Sequence, residues 1–271
     1  MNLSDTLKEK TKWVYQETLR IHSVAPETRI ASSLSSVEIF VALYYGNVLC
    51  FNPAYPFMPE RDRCIISKGH GSICMYPILA DLGYFDKEEL NRVCKPGSFL
   101  GCIPDPKIPG YETINGSLGH GVGVGAGMAL ALKRKNAGQK VFVVTGDGEL
   151  QEGAVWEAFM FASHHKLDNL NVIVDNNRIS MLGFTEDAVS HGSLQGRLTA
   201  FGWETAVVDG HDIMAVHTAI KTMKETSNAK PKILIANTLK GHGVPFLENE
   251  GLSHVMAVKS EVLDQLLGKP I

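Results

Sequence analysis

The feature that most constrains this chain is a rhythm. Five short runs of β-branched and apolar residues, at 63–67, 140–145, 171–175, 204–208 and 232–237, alternate with longer stretches of helical periodicity. The helical patterns cover 5–22, 35–45, 73–82, 118–136, 154–165, 214–226 and 255–267. Such alternation predicts an α/β fold: a doubly wound, mainly parallel sheet with helices on both faces. No internal repeat, low-complexity tract or linker interrupts it, so a single domain over residues 1–271 is expected, ending about where such a domain would be complete. Each strand also runs into a polar, glycine-flanked cluster or a pair of asparagines. These are Lys68-Gly69-His70-Gly71-Ser72, Gly146-Asp147-Gly148-Glu149, Asn176-Asn177, Asp209-Gly210-His211-Asp212 and Lys240-Gly241-His242-Gly243. In an open parallel sheet the carboxyl edge is where ligands bind, and the repeated pattern predicts a site there.

Several function classes are disfavoured by composition. A formal net charge of −3 and no basic run argue against a nucleic-acid partner. No apolar stretch approaches the roughly 18 residues of a spanning helix, and the charged, helically periodic N-terminus reads as neither signal peptide nor anchor. Cys50, Cys64, Cys74, Cys94 and Cys102 form no CxxC pair and have no histidine at zinc-finger spacing, so reduced thiols in a cytoplasmic protein are expected. Gly121, Gly123 and Ala126 fit a GxGxxA dinucleotide pattern, but the polar segment before them is no strand. Gly121, Gly123, Gly125 and Gly127 are expected instead to let a helix pack closely against a neighbour.

The strongest local signal spans residues 146–177, which read as strand end, glycine turn, helix and second parallel strand. Glycines on both sides of Asp147 let the backbone approach a bulky anion. A carboxylate there would repel phosphates unless a cation lay between them. Asp147 and the Asn177 amide are hard oxygen donors at strand ends that a βαβ crossover can bring together. With a main-chain carbonyl and phosphate oxygens they suit octahedral Mg²⁺, or Ca²⁺ or Mn²⁺.

The segment resembles the thiamine-diphosphate motif, GDG followed about thirty residues later by Asn, and its interior GELQEG…WEA…HHKLDNL resembles transketolases. SSLSSVEIFVALYYG, SKGHGS, NGSLGHGVGVGAGMALA, VDGHD and KGHGVPFLEN have counterparts there in the same order, so the likeness covers nearly the whole chain. The resemblance implies that Asp147, Asn177 and the carbonyl of Ile179 hold the metal. It places the cofactor against His70, Gly116, Ser117, Leu118, Gly146, Gly148 and Glu149. Glu152 and Glu157 match family acids that relay protons at a dimer interface, and His70 and His254 match catalytic, substrate-facing histidines.

In transketolases the glutamate that activates the aminopyrimidine lies in a second domain, which is expected here on a separate chain. The chain thus resembles the diphosphate-binding subunit of a split enzyme, and a heterotetramer is expected: two copies each of this chain and a separate pyrimidine-binding subunit. The implied reaction transfers a two-carbon ketol or acyl unit from a ketose or 2-oxo acid to an aldehyde. Two positions depart from the family: Arg29 and Cys102 stand where histidines face the sugar. A permanent cation suits carboxylate or phosphate and a thiol bonds weakly, so a modified sugar or 2-oxo acid is the expected substrate. Competing readings are a 2-oxo-acid lyase or dehydrogenase subunit, a silent scaffold of the same fold, and a nicotinamide oxidoreductase.

Overall fold

The computed structural model describes residues 2–114, 116–181 and 183–268. Helices α1 (Leu3–Val24), α2 (Ile30–Leu34) and α3 (Val37–Tyr45) precede strand β1 (Arg63–Ile66), and α4 (Met75–Leu82) and α5 (His120–Arg134) follow it. Then come β2 (Val141–Gly146), α6 (Gly153–His164), β3 (Leu170–Asn176), α7 (Thr185–Ala188) and α8 (Leu194–Ala200). The rest is β4 (Glu204–Asp209), α9 (Ile213–Glu225), β5 (Lys232–Asn237) and α10 (Ser260–Leu266). All five strands are parallel, in the order β1-β2-β3-β5-β4. This is the doubly wound α/β sheet expected from the rhythm. No helix of the described residues is long and apolar enough to cross a membrane.

The pleat explains why the strands read as nearly continuous apolar runs. Phe142 and Val144 face one core, together with Ile173 and Leu234, while Val141 and Val143 face the other with Val172 and Ile233. Both faces are buried, so alternation gives way to uniform hydrophobicity. The first core is closed by α1, α3, α4 and α9, the second by α5, α6 and α8. Helix α5 lies close on the sheet because two of its glycines permit it: a β-carbon at Gly121 would come within 2.4 Å of Ser67, and one at Gly125 within 2.5 Å of Val143. Gly123 and Gly127 meet nothing within 4 Å, so only half of the glycine stripe has the packing role expected of it.

Three local differences from the sequence reading have simple causes. Residues 30–34 form α2, a five-residue helix too short to show periodicity. The C-terminal helix starts at Ser260, because residues 251–255 fold as turns that seat Ser253 and His254 in the interior. Helices α7 and α8 lie in a polar stretch between β3 and β4, where no apolar face announced them.

Helix α1 is tied to the C-terminal segment by His22, which is completely buried. The Thr28 hydroxyl donates to Ala25, so Nδ1–H of His22 donates to Thr28 at 2.8 Å, while Nε2 accepts the Val258 N–H at 3.3 Å. A second ring proton would face that N–H, and burial pushes the His22 pKa down to about 4. The sign is that of a buried neutral base: the unfolded chain takes the proton first. Stability contributed by His22 is full above pH 6.5 and is lost as pH falls towards 4, by about 3 kcal/mol. Urea unfolding of the wild type and His22→Asn across that range should show the steeper fall in the wild type, the difference being the His22 share, since His70 and His254 act in both.

Candidate active site

Strand order determines which chain segments meet. Gly146 of β2 pairs in register with Asp175 of β3, so Asp147 and Asn177 leave neighbouring strands side by side. β1 delivers Lys68 and His70 on one flank, and β5 delivers Lys240 on the other. With Arg29 and His254 these residues line a cavity of about 520 Å³ at the carboxyl edge of the sheet. Four strand ends contribute rather than five. β4 is the edge strand beyond β5, two strands away from β3, and His211 after it turns away to pair with Glu38 at 3.3 Å.

Asp147 is 2% exposed. Its carboxylate accepts the Thr185 hydroxyl at 2.9 Å, and its carbonyl accepts Nε2–H of His191 at 3.0 Å. Burial, and after it the Asp175 carboxylate, push its pKa up to about 6. The Asn177 amide oxygen accepts the Ile179 N–H at 3.2 Å, and its NH₂ donates to Asp175 at 3.1 Å. Around the Ile179 carbonyl, Nζ of Lys240 donates at 2.6 Å, and at 3.3 Å to Ser180. Burial and the neighbouring Lys68 lower Lys240 to about 8. The donor set fits a hard divalent cation. A carboxylate, an amide oxygen and a main-chain carbonyl line one wall, and the carboxylate's raised pKa marks an anion short of positive charge. Gly148 fits a diphosphate cradle, since a β-carbon there would meet Ser180 at 3.2 Å.

Beneath this floor lies a buried ion pair. Nζ of Lys68 donates to the Asp175 carboxylate, to Ser36 Oγ at 2.7 Å and to the Ser32 carbonyl at 3.0 Å. Asp175 also accepts hydroxyls from Ser35, at 2.7 Å, from Ser36 and from Thr238. Burial opposes its ionisation, yet Lys68 and these donors hold it at about 2. Asp175 thereby fixes the amide of Asn177, two residues along. Sequence reasoning misses both Lys68 and Asp175 as site residues. The usable signal is the lysine of each KGHG, Lys68 and Lys240, overshadowed by the histidine two residues on.

The remaining expected site residues fall in two groups. Gly116, Leu118, Gly146, Glu149 and Glu152 line the cavity, as does Ile103. The Glu149 carboxylate, however, is consumed internally: it accepts from Ser67, from Thr145 at 2.6 Å and from the Gly119 N–H at 2.8 Å. Its place in the site is therefore to hold the 118–119 turn against two strand ends rather than to meet a ligand. Ser117 and Glu157 are exposed and do not line the cavity, and the Cys102 thiol lies against Cys94, leaving Ile103 as the lining residue. His70 and His254 meet edge to face, their rings 4.9 Å apart. Burial, and after it nearby cations, lower them to about 2 and about 4, so both are neutral imidazoles able to donate and accept.

Residues 27–269 match the family described as transketolase, thiamine diphosphate binding domain. An apulose-4-phosphate transketolase subunit of Actinobacillus succinogenes is 38% identical over 98% of this chain and 96% of its own length. The 6-deoxy-6-sulfo-D-fructose transketolase subunit SqwG of a Clostridium species is 36% identical over 86% of this chain and 84% of its own. Among solved structures, the transketolase of Campylobacter jejuni superposes with a TM-score of 0.90 at 30% identity, covering 99% of this chain. This chain spans 43% of that one.

Proposed function

The chain belongs to the transketolase family, and from that premise we propose that it is the diphosphate-binding subunit of a two-component, cytoplasmic transketolase-like transferase. The observation that carries this reading is the convergence of Asp147, Asn177 and the Ile179 carbonyl with Lys68 and Lys240 in one cavity. Thiamine diphosphate, when bound, supplies an electron sink for breaking a carbon–carbon bond next to a carbonyl. Asp147, Asn177 and Ile179 would hold Mg²⁺, and Lys68 and Lys240 would balance diphosphate charge. His70 and His254, kept neutral, can hydrogen-bond a substrate hydroxyl or carbonyl and pass a proton at Nε2 or Nδ1. Glu152 stands at the rim of the same cavity and is exposed here. A partner chain carrying the pyrimidine-side carboxylate would cover it, in an assembly of two copies of each chain.

Arg29, exposed at the cavity mouth, suits an anionic substituent on the sugar. Relatives named for apulose 4-phosphate and a sulfonated fructose favour an unusual anionic sugar over the common pentose phosphates. With Mg²⁺ and cofactor, the chain alone should turn over no ketose, while the two-subunit complex should. Ketol transfer by this chain alone would overturn the split-enzyme reading. Ordinary rates on xylulose 5-phosphate and ribose 5-phosphate would overturn the substrate reading. Adding pyruvate and hydroxypyruvate as donors separates the 2-oxo-acid alternative, which Arg29 also suits.

A further inference from the structure

We propose that Cys94 and Cys102 form a reversible dithiol–disulfide pair that fastens the 94–102 loop beside the mouth of the cavity. Their sulfurs lie 3.1 Å apart, both half-buried. The backbone holds them there. The Cys94 N–H donates to the Leu100 carbonyl at 2.7 Å, so the loop is closed before any bond forms. Ser98 N–H donates to Lys95 at 3.0 Å, the Tyr76 hydroxyl to Gly101 at 2.6 Å, and Phe99 packs edge-on against Phe85. Cys94 itself sits at φ 60°, a left-handed backbone that a residue with a β-carbon keeps only where its surroundings hold it. Bond formation needs the sulfurs to approach to about 2 Å, a side-chain movement within a loop already bent to suit it. The next residue, Ile103, lines the cavity with Arg29 and His254, so the fastened segment is part of the cavity wall.

The oxidant is a small-molecule disulfide of the glutathione class. Burial, and after it the hydrogen bond with Cys102, push the Cys94 thiol far up, so first attack falls to Cys102. Deprotonated Cys102 attacks one sulfur of the oxidant, whose disulfide breaks and releases one glutathione thiolate. Cys94 then gives up its proton and attacks Cys102 Sγ, expelling the second thiolate. Two protein thiols have lost two electrons and two protons, and the oxidant has become two thiols. The other cysteines are placed differently: Cys50 is exposed, and Cys64 and Cys74 are buried with thiols pushed up to about 12 by burial. An occasional, reversible disulfide in an otherwise reduced protein is a sensing element rather than a staple.

The test is equilibration of the purified full chain in glutathione buffers, followed by alkylation and peptide mass mapping. Oxidised wild type should lose the mass of two hydrogens, with the peptides holding Cys94 and Cys102 joined, and dithiothreitol should reverse this. Cys94→Ser should instead retain one glutathione on Cys102, and Cys102→Ser should react about tenfold more slowly. Amide exchange across 95–101 should slow about tenfold on oxidation. The proposal is overturned by any of three results: both thiols alkylated even in fully oxidised buffer, a lasting glutathione adduct on wild-type Cys102, or unchanged exchange in the loop. Glu27 lies within 4.8 Å of both sulfurs, so one equivalent of bound zinc shielding the pair would overturn it too.

Discussion

Replacing Asp147 by asparagine is expected to abolish metal-dependent uptake of thiamine diphosphate and to cut turnover of the assembled enzyme about a thousandfold or more. The change preserves shape and removes one charge. Asp147 is buried, is held by Thr185 at 2.9 Å, and is the only carboxylate in the proposed ligand set. A divalent cation there would face three neutral protein oxygens and no protein charge of opposite sign, with Lys240 close by. Folding should not suffer, because the substitution also removes repulsion from Asp175. Thr185→Ala should cost only about tenfold, since it frees the carboxylate without removing it. Calorimetric titration with Mg²⁺ and thiamine diphosphate reads the binding, and ketol transfer in the complex reads the rate. Affinity within tenfold of wild type in the asparagine variant would remove Asp147 from the metal site.

The second large effect concerns stability. Lys68→Met should destabilise the chain by about 3–5 kcal/mol, because it leaves Asp175 ionised, fully buried and without its cation. The side chains of both partners are at most 1% exposed, so water cannot compensate. Adding Asp175→Asn should recover most of the loss: the amide oxygen can still accept from Thr238, its NH₂ can donate to the Ser35 hydroxyl, and no charge remains stranded. The double variant should nonetheless bind cofactor poorly, since Asn177 loses the acceptor for its NH₂. Urea unfolding of the two singles and the double gives the coupling, and a double no more stable than Lys68→Met would refute the stranded-charge account.

Much of this was legible because period and punctuation agree. The strand runs end in glycine-flanked polar clusters or paired asparagines, and β2 and β3 lie adjacent as a βαβ unit requires. What resisted was everything decided by the third dimension. Glu149 reads like Asp147, an acid beside a glycine, but its longer side chain turns inward to four strand and turn donors. The family pattern sets Cys102 at the substrate, whereas the loop's own closure turns it to Cys94. The Lys68–Asp175 pair joins residues 107 positions apart, beyond the reach of any local pattern. His211 reads like the other strand-end polar residues, and only sheet order shows that its strand lies at the edge.

Asp147 and Asp175 with Lys68 and Lys240 sum to zero, and Glu149, also buried at the cavity, adds one negative charge. A lone divalent cation would leave that enclosed region with a surplus of one, and a lone diphosphate would leave it strongly negative. Each guest thus offsets the other: the diphosphate enters at a smaller charge cost with the cation than without it. Lys240, which lines the cavity, donates to the carbonyl of Ile179. In the language of ion exchange, it is a built-in counter-ion on one of the oxygens proposed for the metal.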